Sequence, residues 1–139
     1  MLRTLLLPAS LLVAVLAAAQ QEQPPAQPTP AQPPASATAQ TNPVKPTPEG
    51  LAHAKKVWGY DCALCHGDKG DGKGDVAASM NLTLKDYTKP DSLKDMTDGQ
   101  IFDIIKNGKG QMPPETGRAK PDDIWNLVTL IRNMSKKTD

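Results

Sequence analysis

The chain has 139 residues, 16 Lys and Arg against 15 Asp and Glu, and only 4% aromatic residues. This length allows one domain with appendages, and the nearly balanced charge gives no strong field that would favour nucleic acid or another highly charged partner. A small domain with few aromatic residues buries a modest surface, and such domains often need a cofactor or a cross-link.

Residues 1–19 are typical of a secretory signal peptide. Arg3 gives a positive start, an almost continuous apolar run extends from Leu5 to Leu16, and three alanines at 17–19 fit the small-residue cleavage rule. The apolar run is short for a membrane span, and an uncleaved anchor is the alternative. We therefore expect export to the periplasm, with a membrane tether if the segment is not cleaved.

Residues 20–47 are predicted to be a disordered linker rich in Pro, Ala and Gln. Nine of the 14 prolines lie between Pro24 and Pro48. Such a composition cannot bury a core and favours the extended polyproline II conformation. A single folded domain is therefore predicted over residues 48–139.

The first helix of that domain is predicted to begin at Pro48. Thr47 can cap it, and proline suits the first helical position. Leu51, Ala54 and Trp58 recur with the spacing of one helix face. This helix leads directly to the cysteine pair.

Cys62 to His66 has the pattern C-x-x-C-H, which is the attachment signature of a c-type haem. Two thiols on a tight turn can add across the two vinyl groups of one haem edge, and the adjacent histidine can supply an axial imidazole nitrogen. Three alternatives compete. They are a disulfide between Cys62 and Cys65, a thioredoxin-like motif, which would need a βαβ context, and a zinc site with the distant His53 as fourth candidate ligand.

The stretch that follows, residues 67–97, is rich in glycine and is predicted to be mostly loop. A loop of this length inside a compact domain is typical of a functional segment, and wrapping a haem is such a function. A second helix is predicted to begin after Thr97, which can form a capping box with Gln100, and to end at Gly108. The last helix is predicted to begin at Pro121 and carries an apolar stripe of Ile124, Leu127, Val128 and Ile131.

Met112 lies between these two helices and precedes Pro113, which forces an extended conformation on it. A stiff loop therefore presents its thioether, a soft ligand well suited to a low-spin haem iron. We expect Met80 to pack, Met96 to precede a helix cap and Met134 to lie on the last helix, and any of these could simply be core. Met112 is therefore the predicted second axial ligand.

The sequence resembles the class I cytochrome c family over residues 49 to about 135. The matching stretches are 54–58, the attachment pattern with Gly67, 70–72, 101–108, Met112-Pro113 and 123–132. The resemblance implies an all-α fold with three main helices and long loops around one covalently bound haem c. It also implies thioether bonds at Cys62 and Cys65, with His66 and Met112 as the axial ligands of the iron.

Some positions depart from the family pattern. The family usually has glycine where Ala54 stands and often an aromatic residue where Leu130 stands. Prolines are common at the positions of Leu82 and Leu84, and one of their carbonyls normally accepts a hydrogen bond from the proximal histidine. That bond orients the imidazole and raises its basicity, and the sequence does not identify the acceptor in this chain.

These features together predict a periplasmic one-electron carrier that exchanges electrons with redox proteins and is not itself an enzyme. We expect no nucleic-acid partner, and contact with a membrane only if the signal segment is uncleaved. The alternative function is a haem-based peroxidase or gas-binding sensor with a labile sixth ligand. That alternative requires Met112 not to hold the iron firmly.

Overall fold

A computed structural model of the protein describes residues 40–136. Residues 1–39, with the predicted signal peptide and most of the predicted linker, and residues 137–139 lie outside the described residues. The helices are α1 (Pro48–Val57), a π-helical turn (Trp58–Cys62), α2 (Ala63–His66), α3 (Asp75–Ser79), α4 (Asp98–Asn107) and α5 (Pro121–Met134). Residues 40–136 contain no β-strand, so the predicted all-α fold with three main helices, α1, α4 and α5, is confirmed.

The helix ends follow the sequence signals closely. Thr47 Oγ1 accepts a hydrogen bond from the Gly50 N–H at 3.0 Å at the start of α1. At the start of α4, Gln100 N donates to Thr97 Oγ1 at 3.2 Å and Thr97 N donates to Gln100 Oε1 at 2.8 Å, which is the predicted capping box. At the starts of α1 and α4, a threonine side chain thus satisfies one of the free amide groups that a helix start exposes.

The core lies where α5 packs against α1 on one side and against α4 on the other. Ala54 of α1 is fully buried, and a Cβ added at Gly50 would lie 3.0 Å from the Asn126 side chain, so α1 and α5 approach closely. Phe102 and Trp125 stack with ring centroids 4.2 Å apart, which joins α4 to α5. Within residues 40–136, no helix combines the length and the apolar character needed to cross a bilayer.

The segment before α1 is attached to the helices. Asn42 Nδ2 donates to Trp125 O and to Thr129 Oγ1, both at 3.0 Å, and the Gly99 N–H donates to Gln40 O at 2.9 Å. Val44 packs against the core. Residues 40–44, which the sequence assigned to the linker, therefore contact the helices.

Arg132 of α5 forms a second set of long-range hydrogen bonds. Its guanidinium donates to Asp98 Oδ1 at 2.9 Å, to Leu93 O at 2.8 Å and to Met96 O. Five donors in a planar fork allow one arginine to bind a carboxylate and two carbonyls together. Arg132 therefore fixes the chain just ahead of α4 onto α5.

We expect Asn42→Ala to lower the free energy of unfolding by about 1–3 kcal/mol, because two half-buried acceptors on α5 lose their donor. Denaturant unfolding of the full chain, followed by circular dichroism, measures this. Thr41→Ala, at the exposed neighbouring position, is the matched control and should change stability little. Equal stability of the two variants would contradict a structural role for the segment.

Candidate functional site

A cavity of about 460 Å³ lies between the C-x-x-C-H turn, α4, α5 and the two long loops. This volume is within the range of about 300–1,000 Å³ that is usual for cofactor pockets. Most of the wall is apolar, with contributions from Ile101, Ile104, Ile105, Leu127 and Ile131. The side chains with ligand chemistry that line it are Cys62, Cys65, His66, Met96 and Met112.

The turn that carries the thiols is built from a π-helical turn followed by one turn of α-helix. The Ala63 N–H donates to Trp58 O, five residues back, which widens the helix just before the cysteine pair. Four residues later α2 ends at Gly67, whose φ of 78° is strained for any residue with a side chain. The local backbone thus brings both thiols and the imidazole to one side of the cavity.

The glycine-rich loop folds back against this turn. The Gly72 N–H donates to His66 O at 2.8 Å, and the Gly74 N–H donates to Cys65 O at 3.1 Å. A side chain at Gly74 would collide with Leu64 O, so only glycine allows this close approach. The loop therefore satisfies the carbonyls that the short helix α2 leaves without partners.

Met112 also lines the cavity and lies on a tight turn. Lys109 and Met112 exchange both backbone hydrogen bonds, at 3.1 and 3.0 Å, and the Glu115 N–H donates to Ile105 O at 3.0 Å. A Cβ at Gly108 would lie 2.5 Å from Met112 O, so the end of α4 must be glycine for this turn to form. Met112 therefore lies in a hydrogen-bonded turn, and its role as an axial ligand stays a prediction.

Met80, Met96 and Met134 lie in three different environments. Met96 also lines the cavity, so it is a second thioether within reach of the same space. Met80 is 50% exposed after α3, and the expectation that it packs is therefore wrong. Met134 packs over Gly70 and lines a separate groove that Lys55 and Leu130 also border.

The environment of Cys62 is unlike the electropositive surroundings of a reactive thiolate. Burial raises the pKa of the Cys62 thiol to about 12, and the nearby Glu115 and Asp61 carboxylates act in the same direction. Redox-active and metal-binding cysteines need the opposite shift. His53 pairs with Asp123 at 3.5 Å, and residues 40–136 hold no group of three or more His, Cys, Asp or Glu side chains arranged for a metal ion.

His66 is held in a state suited to ligation. Burial lowers the pKa of its imidazole, so the ring is neutral at physiological pH. Its Nδ1 atom is buried and has no hydrogen-bond partner among the described residues. The ring lies against Tyr87, with centroids 5.3 Å apart, and against Trp58, at 5.9 Å.

A charged cluster at the cavity wall was also not foreseen from the sequence. Glu115 is 4% exposed, and its carboxylate lies 3.5 Å from Arg118, which also donates to Asp61. Burial raises the pKa of Glu115, and Arg118 acts against that shift. Arg118 therefore links the loop that follows Met112 to the residue that precedes Cys62.

Taken together, these residues fit a covalently held haem. Two free thiols stand at the wall of an apolar cavity, a neutral imidazole with an unpaired nitrogen lies next to them, and the loop after α4 contributes a soft thioether to the same wall. Tyr87, Trp58, Met96 and Glu115 also line the cavity. No regular spacing in the sequence marks Tyr87 or Glu115, because both lie in loops.

Comparison with known proteins supports this interpretation. The sequence profile described as "Cytochrome C oxidase, cbb3-type, subunit III" matches residues 49–131. The chain is 30% identical over 92 residues to the cbb3-type cytochrome c oxidase subunit FixP of Bradyrhizobium sp. (strain ORS 278). This match covers 64% of this chain and only 30% of FixP. It is 27% identical over 86 residues to cytochrome c6 of Gracilaria tenuistipitata var. liui, which covers 62% of this chain and 74% of that protein.

Solved structures agree on the fold. The c-type cytochrome KustC0563 superposes with a TM-score of 0.52 at 21% identity, covering 58% of this chain and 95% of that one. A chain of the Kuenenia stuttgartiensis reducing HAO-like protein complex Kustc0457/Kustc0458 superposes with a TM-score of 0.54 at 22% identity, covering 66% of this chain and 46% of that one.

The profile match extends over more than half of the chain. The chain therefore belongs to the cytochrome c family represented by the cbb3-type oxidase subunit III.

Proposed function

We propose that this protein carries single electrons in the periplasm on one haem c that is bonded to Cys62 and Cys65 and ligated by His66 and Met112. The observation that carries this proposal is that one apolar cavity is lined by all four of these side chains. When bound, the haem supplies reversible one-electron exchange between its ferric and ferrous states. The protein residues bind it, orient it and keep water away.

Each residue has a distinct part in this proposal. The two thiols would hold the haem covalently to the turn, and the neutral imidazole of His66 would be one ligand of its iron. The thioether of Met112 would be the other protein ligand, so a substrate would have to displace a protein group to reach the iron. The apolar wall formed by α4 and α5 would favour the less charged ferrous site.

The partners we infer are redox proteins that make small and transient contacts. The relative FixP is a subunit of a cbb3-type cytochrome c oxidase, and this supports an oxidase or another redox enzyme as the electron acceptor. The exposed side chains of Tyr60 and Leu64 flank the cysteines and would lie at the contact. Protein ligands at both axial positions would favour an electron carrier over an enzyme.

The covalent bond can be tested by intact mass and absorption of the protein from a host that matures c-type cytochromes. We expect one haem per chain that remains attached after denaturation, and expect Cys62→Ala with Cys65→Ala together to abolish it. His53→Ala should keep the haem, because His53 pairs with Asp123 on the surface. Colourless protein with two free thiols or a simple disulfide would refute the proposal.

The same mass measurement tests export. Cleavage after Ala19 would remove the predicted signal peptide, and the mass of the mature chain would report it directly. We expect the cleaved form in the periplasmic fraction. An uncleaved chain that sediments with membranes would instead support the alternative of an N-terminal anchor.

The axial ligand is tested by Met112→Ala with Met96→Ala as its matched control, because both thioethers line the cavity. We expect the sulfur-to-iron charge-transfer band of the oxidised protein to disappear in Met112→Ala and to persist in Met96→Ala. Met112→His should keep a low-spin spectrum and lower the reduction potential, because methionine ligation raises it.

Two outcomes would contradict this assignment. Loss of the band in Met96→Ala alone would make Met96 the ligand and Met112 a packing residue. A high-spin spectrum of the unmodified protein would show an open sixth position and would favour the peroxidase or gas-sensor alternative.

A further inference from the structure

Three aromatic rings form a cluster on the side of the cavity that carries the cysteines. The planes of His66 and Tyr87 are inclined by only 21° with centroids 5.3 Å apart, which is a stacked arrangement. Trp58 lies against both rings, tilted by 43° to His66 at 5.9 Å and nearly edge-on to Tyr87 at 6.3 Å. The imidazole is therefore in contact with two larger rings.

Both larger rings are themselves fixed. Trp58 Nε1 donates to Gly67 O at 3.2 Å, and the Tyr87 backbone N–H donates to Gly70 O at 2.7 Å. Both acceptors belong to the glycine-rich loop that follows His66. Burial raises the pKa of the Tyr87 phenol to about 12, so Tyr87 is an uncharged ring at any physiological pH.

The imidazole lacks the usual polar restraint. Its Nδ1 is buried and finds no acceptor in residues 40–136. A ring that is bound to a metal through Nε2 alone can turn about that bond, unless a hydrogen bond at Nδ1 or contact with neighbours fixes its plane. In this chain the neighbours present are the faces of Tyr87 and Trp58.

We propose that Tyr87 is a positioning residue that sets the plane of the axial imidazole of His66 by ring stacking, in place of a hydrogen bond to Nδ1. This proposal rests on the proposed function, because it takes His66 as an iron ligand. Tyr87 acts on the ligand through its ring face, and its hydroxyl is not required. An imidazole with an unpaired Nδ1 is also a weaker donor than one that is hydrogen bonded.

The test compares Tyr87→Phe with Tyr87→Leu in the haem-loaded full chain. The readout is the pattern of the haem methyl resonances in the proton NMR spectrum of the oxidised protein. That pattern follows the orientation of the axial imidazole plane, because the unpaired electron density follows the ring. We expect Y87F to retain the pattern of the unmodified protein and Y87L to redistribute the methyl shifts.

A structural control separates ring orientation from loss of packing. Ile124→Ala truncates a fully buried residue of α5 that is not part of the cavity wall, so it should lower stability and leave the methyl pattern unchanged. If Y87L does not accumulate, Tyr87→Met provides the same comparison with a flexible side chain that fills more space.

The outcomes distinguish this proposal from the proposed function. An unchanged methyl pattern in Y87L, or the same redistribution in Y87F as in Y87L, would overturn the role of the Tyr87 ring while His66 ligation stands. A through-hydrogen-bond coupling between Nδ1–H of His66 and a backbone carbonyl would overturn it as well. Absence of a low-spin haem in the unmodified protein would refute the proposed function, and the role of Tyr87 with it.

Discussion

Two thiols and an imidazole within five residues must all face one cavity, and the rest of the structure depends on this constraint. A four-residue helix brings them together but leaves its last carbonyls without helical partners. The N–H groups of Gly72 and Gly74 satisfy the carbonyls of His66 and Cys65, which requires a loop without side chains at the point of contact. Helix α1 and the π-helical turn position the cysteine pair at the cavity, and the hydrogen bonds from the glycine-rich loop fix α2 in that position.

Other parts of the cavity wall are held by contacts between residues far apart in the sequence. Arg132 ties the chain at Leu93 and Met96 to α5, and Arg118 ties the loop after Met112 to Asp61. Neither brace buries much apolar surface. The buried core next to the cavity is small and the chain has few aromatic residues, so a bound apolar macrocycle would contribute a large part of the packing. Binding and folding are then coupled, because a ligand that binds only the folded chain stabilises it.

The sequence was most informative where one local rule decides the structure. The C-x-x-C-H pattern, the capping box of Thr97 and Gln100 and the glycine at the end of α4 all depend on residues a few positions apart. The contacts of Asn42 with α5 and of Tyr87 with His66 could not be predicted in this way. These contacts join irregular segments to distant helices, and no periodic pattern in the sequence indicates which side chain of a loop will be buried. For the same reason the sequence ranked Met96 low, although it shares the cavity with Met112.

The cavity wall also suggests how the electron affinity of a bound haem would be balanced. If His66 and Met112 hold the iron as proposed, a thioether and an imidazole with an unpaired Nδ1 would both be modest donors, and together with the apolar wall they would favour the ferrous state. The carboxylates of Asp61 and Glu115 line the same cavity and act in the opposite direction, since negative charge stabilises the ferric site. Arg118 is shared by both carboxylates and offsets part of their charge. We therefore expect the ligands and the apolar wall to dominate, which suits a carrier that delivers electrons to an oxidising partner.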